Sequence, residues 1–204
     1  MLPEPIAQRA AGWMLIVGTS LALIGAAWPP YKQWYSPLEE ALRVIASHPI
    51  GWRCIHTGFA TGTIITALGL AVFANARAGQ PGGVYATVAA VAYAMATVFW
   101  LVNIAYRLSV MPWAANEFVS SGAIPAMYAP LERMGALMFT AFSAMAAVAS
   151  VSSAGAVSQS GIAPRWVAWT SLVVGVIAAP MVAMIGPWVL YVPFLTLGIA
   201  LVRR

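Results

Sequence analysis

The sequence predicts an all-α, polytopic transmembrane bundle of about six spans, with short interfacial helices in two long loops on one side. Three observations carry this prediction. Of 204 residues, 62% are hydrophobic and 7% charged, with a mean hydropathy of +0.84, whereas soluble domains carry roughly a quarter charged residues. Six separate apolar runs approach the ~20 residues needed to cross about 30 Å of hydrocarbon at 1.5 Å per residue. Asp is absent, and Glu4, Glu39, Glu40, Glu117 and Glu132 all lie outside those runs. One transmembrane domain, 1–204, is the natural organisation.

The first run, 11–28, follows Arg9 and ends in Gly25-Ala26-Ala27, a profile shared with secretory leaders. With the chain opening at Met1, it is expected to be retained as a span. The long loop 29–53 contains Ser36-Pro37-Leu38-Glu39, a capping-box pattern with proline at the first helical position. Leu38, Ala41, Leu42 and Ile45 then share one face, which predicts a short amphipathic helix on the membrane surface or over the bundle. Spans 54–74 and 84–106 follow, and a second long loop, 107–133, holds Pro112, Pro125 and Pro130. Odd-numbered connections of a six-span chain share a side, so the two long loops are expected to form one cap. Spans 134–156, 166–184 and 187–202 complete the chain. Gly186-Pro187 marks a tight turn between the last two, and Pro180 and Pro193 are expected to kink them.

Basic residues divide evenly between the two sides: Arg9, Arg77, Arg165, Arg203 and Arg204 against Lys32, Arg43, Arg53, Arg107 and Arg133. By count, then, the positive-inside rule favours neither orientation, and the short loops with the terminal Arg pair place both termini in the cytoplasm, the protein sitting in a bacterial inner membrane. Trp13, Trp28, Trp52, Trp100, Trp166, Trp169 and Trp188 fall near span ends, where amphipathic rings prefer to sit. Small residues recur four apart, as in Gly18, Ala22 and Ala26, or Gly58 and Gly62. Such stripes let helices approach closely, here within one chain rather than between copies.

Several functions are excluded or disfavoured. The net charge of +5 is scattered rather than clustered, unlike a nucleic-acid-binding face. Cys54 is the sole cysteine, so one chain builds no disulfide and no cysteine-based cluster. Phosphate-binding loops, nucleophile elbows and dinucleotide fingerprints are missing, so the reading leans away from an enzyme and assigns no catalytic residue.

The densest polar group collects on the long-loop side, where Arg53, Cys54 and His56 from the second span meet Asn103 and Arg107 from the third and Glu132 and Arg133 from the fourth. Asn103 and Arg107 are four apart and share a helix face. Polar groups near hydrocarbon are costly and tend to face a cavity or a partner; the plainer alternative is that these arginines snorkel and close the bundle. His56, one turn inside its span, has the chemistry of an axial ligand for haem or a pigment magnesium. His48 is poorly placed as its partner. Glu39, Glu40, His48 and His56 offer metal-ligand chemistry without a recognised spacing, so no metal site is assigned. Thr57, Thr61, Thr63 and Thr66 would line a polar path or bond their own backbone.

Ile162-Ala163-Pro164-Arg165-Trp166, Gly186-Pro187-Trp188, Val192-Pro193-Phe194-Leu195 and the closing Arg203-Arg204 resemble the tails of uncharacterised bacterial multi-pass membrane proteins, as the segment from His48-Pro49 through His56 resembles their second helix. That resemblance implies a six-helix bundle and transfers no site residue. The leading expectation is a non-catalytic accessory or scaffold protein or a small-molecule-binding bundle, partnered by the lipid bilayer and other membrane subunits. The alternatives are a haem-, pigment- or quinone-binding subunit of a membrane oxidoreductase, carried by His56, and a small-solute transporter with Arg53, Arg107 and Arg133 as anion contacts.

Overall fold

The computed structural model describes residues 4–27, 37–178, 181–182 and 186–203, and every regular element among them is helical. Helix α1 spans Glu4–Ala27, α2 Leu38–Ser47, α3 Pro49–Ala76, α4 Gly83–Ser121, α5 Tyr128–Ser160 and α6 Arg165–Val173. A π-turn, Val174–Ala178, extends α6, and a 3-10 turn, Pro187–Tyr191, leads into α7, Val192–Val202. Four helices are long and apolar enough to cross a membrane: Glu4–Gly25 within α1, and the whole of α3, α4 and α5. Two shorter apolar segments, Arg165–Ile177 and Pro187–Val202, accompany them.

Neighbouring long helices run antiparallel. Gly18 and Gly62 mark the crossing of α1 and α3: a β-carbon on Gly62 would lie 2.5 Å from the Gly18 carbonyl oxygen, and one on Gly18 would lie 2.7 Å from that of Gly62. Only glycine admits such backbone contact, so this small-residue stripe holds the chain to itself. Gly12 and Gly198 repeat the device between α1 and α7. At the junction before α4, Gly82 adopts φ +81° and sits where a β-carbon would strike the Ala156 carbonyl of α5, so the tight α3–α4 turn requires glycine there.

The largest departure from expectation concerns the stretch 107–133. Instead of a loop it is mostly helix: α4 continues to Ser121 and α5 begins at Tyr128. At 1.5 Å per residue the 39-residue α4 is about 58 Å long and the 33-residue α5 about 50 Å, well beyond the roughly 30 Å of a hydrocarbon core. Pro112 lies inside α4 without ending it, as membrane helices tolerate when neighbours satisfy the backbone. The continuation is driven by burial, because Ala114, Ala115 and Phe118 extend an apolar stripe that meets Leu42 and Ile45 of α2 together with Trp52 and Tyr128.

The amphipathic stretch after Pro37 is α2, whose Ala41, Leu42 and Ile45 are buried against α4 rather than facing outward. Arg43 adds a cation–π contact 4.9 Å above the Phe118 ring. Ser36, with its expected capping role, and Pro180, with its expected kink, lie outside the described residues. Pro193 stands in the first turn of α7, where the 3-10 turn gives way to α-helix.

Candidate functional site

At the end of the bundle where α3 begins, α4 emerges and α5 starts, three predicted polar residues come together. Asn103 is buried and donates from Nδ2 to the Gly135 carbonyl at 2.7 Å, tying α4 to α5. Its Oδ1 accepts from Arg107 Nε at 2.6 Å, as their spacing of one helical turn allows. Arg107 is thereby oriented in the interior with 8% of its surface exposed. Its carbonyl accepts the Trp52 indole N–H at 2.7 Å, which ties in α3.

These bonds leave a cavity of about 310 Å³ among α2, α3, α4 and α5. Its polar wall comprises Arg107, Glu132, Tyr106 and Tyr128, and its apolar wall includes Trp52 and Phe139. Tyr106 and Tyr128 lie close together within electrostatic range of both Arg107 and Glu132. The buried Tyr106 hydroxyl has the Tyr128 hydroxyl as its polar neighbour. Gly135 matters here, since a β-carbon on it would stand 2.8 Å from the Tyr106 ring.

The other predicted residues separate from this group. Arg53 and Cys54 are exposed on the outer face of α3, and Arg133, one residue beyond Glu132, is exposed and does not line the cavity. Adjacent helical residues point about 100° apart, so Glu132 reaches the cavity wall while Arg133 turns away from it.

His56 is 2% exposed and points into the bundle. Its Nδ1 lies 2.8 Å from the Trp52 carbonyl, and its ring centroid is 4.1 Å from that of Trp52. The stack continues from Phe59 to Trp100, at 5.7 Å edge to face, and from Trp100 to Phe142 at 4.7 Å. His48 is exposed and 2.9 Å from the neighbouring Ser47 hydroxyl. Among the described residues no three of His, Cys, Asp and Glu gather closely enough to hold a metal ion.

The α3 threonines divide between two faces. Thr57 and Thr61 are exposed, while Thr63 lies 3.0 Å from the Tyr191 hydroxyl and Thr66 donates to the Gly62 carbonyl at 2.8 Å.

Sequence reasoning missed Tyr106, Tyr128, Gly135 and Phe139. The available signal was the helical stripe Asn103, Arg107, Met111, Ala114 and Phe118, which continues α4 through the expected loop and brings those aromatics to the cavity. The opposite end of the bundle holds a second buried cation. Arg77, 6% exposed, pairs with Glu4 at 3.3 Å and donates to the Pro81 carbonyl at 2.8 Å, while Gln80 donates to Glu4 at 3.0 Å. Compared with family models, curated proteins and solved structures, the chain matches none.

Proposed function

We propose that this chain is a six-span membrane protein that binds a small molecule in the cavity beneath a cap made by α2 and the outer α4–α5 hairpin. The observation that carries this reading is the lining of that cavity: a buried, oriented arginine beside two buried tyrosines, walled by aromatic and aliphatic side chains. Concave, mostly apolar sites with a few fixed polar groups are the usual form of ligand pockets.

Six crossings are supported by the depth reached by the last apolar segment. Val189 and Leu190 share a cluster with Ile55 and Phe59 near the cap, while Val202 sits against Gly12 toward the far end. Both termini then lie on the side away from the cap, which we assign to the cytoplasm of a bacterial inner membrane; the resemblance to uncharacterised multi-pass proteins of bacteria fits this placement.

His56 is read as a packing residue, because its ring is enclosed by Trp52 and Phe59. An absorption band bleached by His56→Ala would replace that reading with a cofactor-bearing subunit. The cavity itself is tested by native mass spectrometry of protein extracted gently from its own membrane. The wild type is expected to carry mass above the bare 21.5 kDa chain, and Ala136→Trp, which fills the cavity from its wall, is expected to remove it. A bare wild-type chain, or added mass unaffected by Ala136→Trp, refutes the reading.

A further inference from the structure

The geometry points to a zwitterionic phospholipid, with a phosphate joined to a primary ammonium as in phosphatidylethanolamine, as the ligand of the cap cavity. This inference rests on the cavity reading above and adds the class of ligand.

The polar wall contains both signs of charge. Arg107 lies inside, its guanidinium plane fixed by the Nε bond to Asn103, and a guanidinium suits the oxygens of a phosphate better than any other side chain. Glu132 is exposed and lines the same cavity, so a carboxylate stands toward the opening. Arg107, Glu132, Tyr106 and Tyr128 all line this one cavity. Such a pair of charges matches a headgroup whose phosphate goes inward and whose ammonium stays near the mouth.

Size and surroundings choose the lipid. About 310 Å³ stands at the lower limit of small-molecule pockets, roughly 300 Å³, enough for a headgroup but not for two acyl chains. Beside the cavity on α5, Met134 and Leu137 are exposed apolar residues, Leu137 at 65%. Acyl chains leaving the cavity would continue along this surface within the bilayer. A soluble zwitterion has no use for that apolar track.

The test is native mass spectrometry of the delipidated full chain in detergent, with equimolar dioleoyl phosphatidylethanolamine, phosphatidylcholine and phosphatidylglycerol. Choline has no N–H to give Glu132 and glycerol carries no cation, so phosphatidylethanolamine adducts are expected to dominate by roughly tenfold, the scale of one hydrogen bond to a charged group. Arg107→Gln is expected to lower them by a similar factor. Glu132→Gln, at an exposed position that tolerates exchange, is expected to equalise the ethanolamine and choline lipids while retaining binding.

Equal retention of all three lipids by the wild type, or an ethanolamine preference that survives Glu132→Gln, overturns the proposal. Displacement of the lipid by free phosphoethanolamine at comparable concentration overturns the lipid source in favour of a soluble zwitterion. If Ala136→Trp removes some other bound mass while no lipid is preferred, the ligand class fails and the cavity reading stands. If Ala136→Trp changes nothing, both fail.

Discussion

The two ends of the bundle each bury an arginine and use it differently. At the far end, Arg77 is pinned by the Glu4 carboxylate and the Pro81 carbonyl in the tight α3–α4 turn, where it joins α1 to α3. At the cap end, Arg107 is oriented by the neutral amide of Asn103 and lines a cavity roofed by α2. Burying a charge is expensive unless it is paired and hydrogen-bonded. The far end meets that demand with the Glu4 carboxylate and a backbone carbonyl, and at the cap end the Asn103 amide holds a guanidinium that lines a cavity. A contact that ties helices together and one that lines a cavity can therefore share residue type, burial and depth at a helix end, and differ in what lies beside the guanidinium.

The strongest perturbation of both ends together should come from the seam that joins them. Gly62→Val drives a side chain into the α1 backbone at Gly18, and the destabilisation is expected to reach about 3 kcal/mol or more, read as loss of the folded monomer in detergent. A well-folded Gly62→Val protein would show that the ends do not depend on this crossing. Gly135→Ala should come next, because its β-carbon crowds the Tyr106 ring at 2.8 Å. A cost of about 1–2 kcal/mol is expected, with ligand mass lost from the native spectrum while the far end keeps its protection in hydrogen exchange.

Trp52→Phe removes the indole bond to the Arg107 carbonyl, and about 1 kcal/mol of stability should go with it. Weaker ligand retention with a melting temperature lowered by only a few degrees would identify the bond as one that positions Arg107. Glu4→Gln is expected to have the smallest effect. The Glu4 side chain is 43% exposed, so its pair with Arg77 is screened and its loss should cost less than about 1 kcal/mol, decreasing with added salt. Ligand mass should be unchanged; a Glu4→Gln protein that loses ligand would erase the distinction between the two ends.

Helical architecture was legible because composition and run length state the solvent. Apolar segments near 20 residues must satisfy their own backbone in hydrocarbon, which leaves helix as the solution without any knowledge of neighbours. Small residues four apart likewise announced close crossings, and Gly18 with Gly62 makes one. The Asn103–Arg107 pair was visible as a shared helix face, since one turn of helix is a local property.

Tertiary structure decided the rest. The extension of α4 through Pro112 depends on a partner, α2, whose apolar face repays burial of Ala114, Ala115 and Phe118. Read alone, the prolines of 107–133 resemble the punctuation of a loop. Glu132 and Arg133, or Arg53 and His56, are near-neighbours in sequence, but the rotation of each helix against its neighbours sends Glu132 to the cavity and His56 inward and leaves Arg133 and Arg53 outside. Sequence by itself determined that this chain is a bundle of apolar helices with polar groups at their ends. Which of those groups closes the fold and which opens onto a site was set only when separate helices packed, because a cavity is a relation between surfaces distant in the chain.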